Sequence, residues 1–148
     1  MLSAVLDSSI LVSAFLTPRG LAAQLLAAAR QREFSLSLSE QIITETQDVL
    51  LDQPHVRQRY SYTDEQAARF CRALRSAASL VTPLPGIHGV VRDPNDDHVV
   101  ACALAASVGY LVTRDPDLLT LKVYQDVQMI TPENFLRQLR EESHRTKS

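Results

Sequence analysis

"RDPNDDHVVACALAASVGYLVTRD", residues 92–115, is the stretch on which the fold of this chain turns. It sets Asp93, Asp96 and Asp97 within five positions, directly ahead of an apolar, alanine-rich run, and places Asp115 where a second apolar run ends. The first run has helical character and the second, "GYLVT" (109–113), that of a short buried strand. Acids at the edges of both runs carry a cost. Two carboxylates about 6 Å apart repel by roughly 3 kcal/mol at an effective dielectric near 20, a large fraction of a domain's marginal stability. Something positive must offset that repulsion, or the acids must point apart into water.

The same alternation continues on either side. Strand-like runs occur at "SAVL" (3–6), "FSLSL" (34–38), "SLVTPL" (79–84) and "VQMI" (127–130). Helical patterns lie between them, at 20–30, 39–51, 63–78, 96–107 and 131–139. Ser39 and Thr131 stand at N-cap positions, and Thr63 with Gln66 forms a Thr-x-x-Gln capping box. Pro132 follows its cap at the first helical position. Strands alternating with helices argue for an α/β protein, a three-layer α/β/α sandwich around a central parallel sheet of four to five strands. A single domain over 1–140 is expected, followed by a polar tail at 141–148 ("EESHRTKS" closes the chain). The segment "PLPGIHGVVRDPND" (83–96) is the one long loop rich in proline and glycine.

Bulk composition narrows the function classes. The 148 residues suffice for one sizeable core. A net charge of −2 is unlike that of a nonspecific electrostatic nucleic-acid binder, although a local acidic site can coexist with a basic rim. Lysine occurs only at Lys122 and Lys147, so the positive charge is almost all arginine. Cys71 and Cys102 fall inside helical apolar patterns and read as reduced core thiols. The apolar start, "MLSAVLDSSILVSAFL", lacks a basic leader segment and carries Asp7 in its middle, so it reads as a buried strand and helix. No apolar run reaches membrane-spanning length, and a cytoplasmic location is expected.

In an open α/β sheet, ligands bind at the carboxyl ends of the strands. Asp7 follows the first strand, and Asp115 follows "GYLVT" after one intervening arginine. Asp97 opens the helix after the long loop, and Glu45 lies in the helix after the second strand. Glu45 is in line with Ile42 and Val49, and Asp97 with Val100, Ala101 and Leu104, so both carboxylates sit on apolar stripes. A carboxylate there is costly unless paired or bound to a cation. Four such acids suit a hard divalent ion, Mg²⁺ or Mn²⁺. Each also has a structural reading. Asp7 and Asp115 are good helix caps, Glu45 faces solvent if the helical phase slips by one residue, and Asp93 and Asp96 fit loop and N-cap positions.

With these residues in place, the chain resembles PIN-domain proteins, of the kind found as the toxin of VapC-type toxin–antitoxin pairs. The likeness runs from "VLDSSILVSAFL" through "LSEQIITETQDVL" and "DPNDDHVVACALAASVGYLVTRDPDLL" to "ITPENFLRQL". The family pattern of strand, Asp and small hydroxyl maps to Asp7 and Ser8, its helical acid to Glu45, its Asp-x-x-(Ile/Val)-Ala to Asp97, and its Thr-x-Asp to Thr113 and Asp115. Many members carry Asn two residues after the first Asp; here that position is Ser9.

The resemblance implies a metal-dependent endoribonuclease in which Asp7, Glu45, Asp97 and Asp115 hold one or two Mg²⁺ or Mn²⁺ ions. Ser8, Ser9 and Thr113 would orient them, and Arg92 and Arg114 are candidate contacts to the RNA backbone. It also implies an RNA substrate, an antitoxin partner and a homodimer. The four histidines need no role in such chemistry, and His98 is expected on the helix flank. The alternative within the family is a degenerate scaffold that binds RNA or a protein partner without cleaving, to which Ser9 leaves an opening. Other classes fit less well. A phosphoaspartyl phosphatase wants a second acid at position 9, a phospho-acceptor receiver wants a lysine after its last strand, and no Gly-x-x-x-x-Gly-Lys phosphate loop occurs.

Overall fold

The computed structural model describes residues 1–82, 89 and 96–147. Its centre is β1 (Ser3–Leu6), whose Ala4, Val5 and Leu6 are all buried. Successive strand side chains point to opposite faces, so burial of all three means that both faces of β1 are covered. β2 (Ser35–Leu38) and β4 (Tyr110–Val112) flank it in parallel, with Ala4 opposite both Leu36 and Tyr110. β3 (Ser79–Leu80) extends β2, β6 (Val127–Ile130) extends β4, and β5 (Val123–Tyr124) closes the far edge. The sheet order is β3-β2-β1-β4-β6-β5.

The sheet is therefore mostly parallel, but among the described residues it has six strands, against an expectation of four to five. The additional strand, β5, runs antiparallel to β6 in a hairpin closed by Gln125 and Asp126. Both turn residues have positive φ, 46° and 70°, which gives a two-residue loop the twist of its flanking strands.

The helices are α1 (Ser8–Leu16), α2 (Leu21–Arg30), α3 (Glu40–Asp52), α4 (Pro54–Arg59), α5 (Asp64–Ala77), α6 (Asp97–Ala106), α7 (Pro116–Leu119) and α8 (Pro132–Lys147). Their starts follow local chemistry. Ser39 accepts from the Ile42 N–H at 3.2 Å, and the Thr63–Gln66 capping box forms in both directions. Connections between parallel strands are right-handed almost without exception. The crossovers running from β1 out to β3 and those returning to β4 and β6 consequently cover opposite faces, which makes the α/β/α sandwich. Phe135 of α8 packs on Phe34 and Tyr110, with ring centroids 5.0 Å and 5.4 Å apart, and so fastens the last helix to the sheet.

Residues 141–147 are helical where a polar tail was expected. Leu136 and Leu139 lie against the core and anchor the helix, and its polar end continues from them, with Glu142 3.6 Å from the N-terminal amine. Cys71 and Cys102 are buried free thiols, as expected, and burial pushes Cys102 up to about 11. No single helix among the described residues is long and apolar enough to cross a membrane.

Candidate active site

The parallel strands all point their carboxyl ends to one edge of the sheet, and the sequence continues from those ends into acids. Asp7 follows β1, is 6% exposed, and caps α1 by accepting from the Ile10 N–H at 3.0 Å. The same Oδ1 accepts from the Ser9 hydroxyl at 2.7 Å. Its Oδ2 accepts from the hydroxyl of Thr113, which follows β4 and is fully buried. Thr113 Oγ1 in turn accepts from the Asp115 N–H at 3.0 Å. One hydroxyl thus ties two carboxylate-bearing turns together across the two central strands.

Asp115 caps α7 by accepting from the Asp117 N–H at 2.9 Å. Capping and membership of the acidic cluster are not alternatives here, because both caps sit on strand ends that meet. Burial raises the Asp7 carboxyl above its ordinary value of 3.8. The hydroxyls and the Ile10 amide oppose that rise, and the nearby Asp115 charge adds to it.

The other two acids are held by different partners. Asp97 opens α6 and is 7% exposed. Its Oδ2 accepts from the N–H of Gly89 at 3.0 Å, a residue held at φ +68°, where a side chain would be strained. Asp96 occupies the N-cap position without a side-chain capping bond. Glu45 lies on the margin of the buried stripe of α3, which consists of Ile42, Ile43, Thr46 and Leu50, so it is half-buried and not fully inward. Its Oε1 stands 2.7 Å from Nε2 of His98 in the first turn of α6. His98 therefore faces Glu45 and does not lie on a bare helix flank.

Several expected roles change. The hydroxyl that reaches Asp7 is that of Ser9, while Ser8 is the half-buried first residue of α1. Serine at position 9 has reach enough to donate to the carboxylate. Arg114 is exposed and pairs with Glu133, with contacts of 2.6 Å and 2.9 Å. Arg92 and Asp93 lie outside the described residues. His98, next to Asp97 in the sequence, joins the Glu45 side of this edge.

Among the described residues, no three His, Cys, Asp or Glu side chains form a ready-made ligand cluster. Two pairings join these donors, Asp7 with Asp115 through Thr113 and Glu45 with His98, while Asp97, bound by the Gly89 N–H, opens α6 on the same carboxyl edge of the sheet. The carboxylates of that set suit a hard divalent ion, since Mg²⁺ keeps several waters and takes only one or two carboxylates, with substrate phosphate completing its shell. A buried carboxylate raised by its surroundings is also the group whose charge a cation would stabilise.

Comparison with known proteins agrees with the architecture. The PIN domain family matches residues 3–117. VapBC2 of Rickettsia felis, solved bound to a DNA fragment from its promoter, superposes with a TM-score of 0.60 at 15% identity, covering 88% of this chain and 98% of that one. PAE2754 of Pyrobaculum aerophilum superposes with a TM-score of 0.63 at 20% identity, covering 95% of this chain and 96% of that one. No curated protein sequence matches. With that family matched over residues 3–117, most of its length, the chain belongs to the PIN domain family.

Proposed function

We propose that this protein is a divalent-metal-dependent endoribonuclease and the toxin half of a toxin–antitoxin pair, acting in the cytoplasm. PIN domains are nucleases as a family, and they generally use divalent metals. The observation that carries the reading to this chain is the linkage of Asp7 to Asp115 through the Thr113 hydroxyl at the carboxyl edge of the sheet. Asp7, Asp97, Glu45 and Asp115 would hold one or two Mg²⁺ or Mn²⁺ ions. When bound, the cation neutralises phosphate charge and makes an attacking water more acidic.

The residues supply the rest. Ser9, Thr113 and the Ile10 amide fix the Asp7 carboxylate through three donated hydrogen bonds, so its oxygens are oriented before substrate arrives. Asp115 is fixed through one oxygen, and as a carboxylate less completely held it would take the proton from the attacking water. Attack in line on phosphorus then breaks the P–O3′ bond and leaves a 5′-phosphate and a 3′-hydroxyl. No substrate 2′-hydroxyl is required, so the choice of RNA over DNA rests on contacts outside this step.

Antitoxin partnership draws its support from the VapC-type resemblance and from the fold shared with VapBC2 of Rickettsia felis. A homodimer is part of the same reading, and a monomer by size exclusion with light scattering at micromolar concentration would defeat that part. The test of the activity is cleavage of a mixed single-stranded RNA pool with Mg²⁺, Mn²⁺ or EDTA, alongside Asp97→Asn prepared identically. Cleavage that needs metal and disappears in the variant establishes the nuclease; equal activity in the variant refutes the site.

A further inference from the structure

His98 occupies an unusual position for an imidazole. Its side chain is 12% exposed, in the first turn of α6 next to Asp97, and Nε2 approaches Oε1 of Glu45 to 2.7 Å. That distance would suit a strong hydrogen bond, yet neither Nε2 nor Nδ1 makes one among the described residues, although both atoms are shielded from solvent. Nδ1 has no partner among the described residues and Nε2 has only the Glu45 carboxylate, approached without hydrogen-bond alignment; buried polar atoms left so are rare and call for a role or an ion.

The pair is better explained as two donor atoms facing a shared ligand than as an ion pair. Two ligands of a small cation, each about 2.1 Å from it and at right angles, stand about 3 Å apart without being hydrogen-bonded to one another. Glu45 keeps partial solvent access, with its side chain 37% exposed, so an ion and its waters can reach the carboxylate. Both residues lie at the carboxyl edge that also carries Asp7 and Asp115.

We propose that His98 is a nitrogen ligand of the divalent-metal site, acting beside Glu45 and biasing that site toward a transition-metal ion over Mg²⁺. The inference rests on the metal-dependent reading above and deepens it. Carboxylate and water oxygens suit Mg²⁺, whereas an imidazole nitrogen favours first-row transition ions. An all-oxygen site would bind the two kinds of ion with little discrimination, so one histidine changes selectivity more than it changes total charge.

Mn²⁺ is the probe, because bound Mn²⁺ reports nitrogen ligation directly. Pulsed electron paramagnetic resonance of the intact protein loaded with Mn²⁺ is expected to show nitrogen hyperfine coupling. The pattern should alter when histidine is ¹⁵N-labelled and vanish in His98→Gln. Competition titration should show the Mn²⁺-over-Mg²⁺ preference falling by roughly tenfold or more in the variant, while some binding persists. Bound Mn²⁺ without nitrogen coupling in the wild type overturns the inference and leaves the metal-dependent reading standing. No Mn²⁺ binding by the folded wild type defeats both. If His98→Gln does not fold, the labelling experiment on the wild-type protein still decides, and His98→Asn supplies a second variant.

Discussion

Thr113 donates its hydroxyl to Asp7 although 106 residues separate them in the chain. The contact exists because β1 and β4 are parallel neighbours, with Leu6 opposite Val112, so the residues that follow each strand emerge side by side. Thr113 has no access to solvent, and its hydroxyl serves two turns at once, as donor to Asp7 and as acceptor from the Asp115 amide.

Replacing Thr113 by valine keeps the shape and removes both hydrogen bonds. Each buried polar group left without its partner costs about 1–3 kcal/mol, so Thr113→Val should lower unfolding free energy by roughly that amount at neutral pH. Divalent-metal affinity should fall with it, because Asp7 loses one of its three orienting donors. Urea denaturation with and without Mg²⁺ measures both, and unchanged values on each count would remove Thr113 from the site.

The pH dependence of metal-free protein follows from Asp7. Its carboxyl is raised above 3.8 chiefly by burial, so the native state binds that proton more tightly than the unfolded chain does. Where the native state binds more protons, stability falls as pH rises. The loss begins near the ordinary carboxylate value and is complete once pH passes the raised native value. Asp7→Asn keeps an acceptor for the Ile10 amide and cannot ionise. It should therefore be more stable than wild type at pH 7 in EDTA and lose this part of the pH slope. Added Mg²⁺ should stabilise wild type and leave the variant unmoved. Thermal melts between pH 4 and 7.5 test the sign, and a wild-type profile that rises through this window once other carboxylates are accounted for by the variant would contradict it.

Phe135 holds α8 against the sheet through Phe34 and Tyr110 and is fully buried. Phe135→Ala should destabilise by about 3–5 kcal/mol, the range for losing a large aromatic side chain from a packed core. Metal affinity of the fraction that remains folded should be unaffected, since neither partner ring lies at the acidic edge. Denaturant midpoints and a parallel metal titration check the two halves of that statement.

The sequence alone determined the alternation of parallel strands with helices, most helix starts and the positions of the candidate acids, because these depend on local chemistry. Apolar runs such as "SAVL" and "GYLVT" show burial, Ser39 and Thr63 supply donors' partners for their own helix ends, and acids placed directly after strands show where a parallel sheet gathers charge. Tertiary structure decided what local chemistry does not encode. The β5 hairpin turns on Gln125 and Asp126 at positive φ without the usual Asn-Gly signature, so only its pairing with β6 reveals it. The last turns of α8 are polar and read as tail until Phe135 and Leu139 dock the helix. The pairing of Arg114 with Glu133 arises only once β6 and α8 bring Glu133 beside the end of β4. Most of all, the approach of His98 to Glu45 belongs to two helices separated by the whole of α4, α5 and β3. Nothing within either helix requires it; the parallel sheet, which delivers the start of α6 and the early turns of α3 to one edge, does.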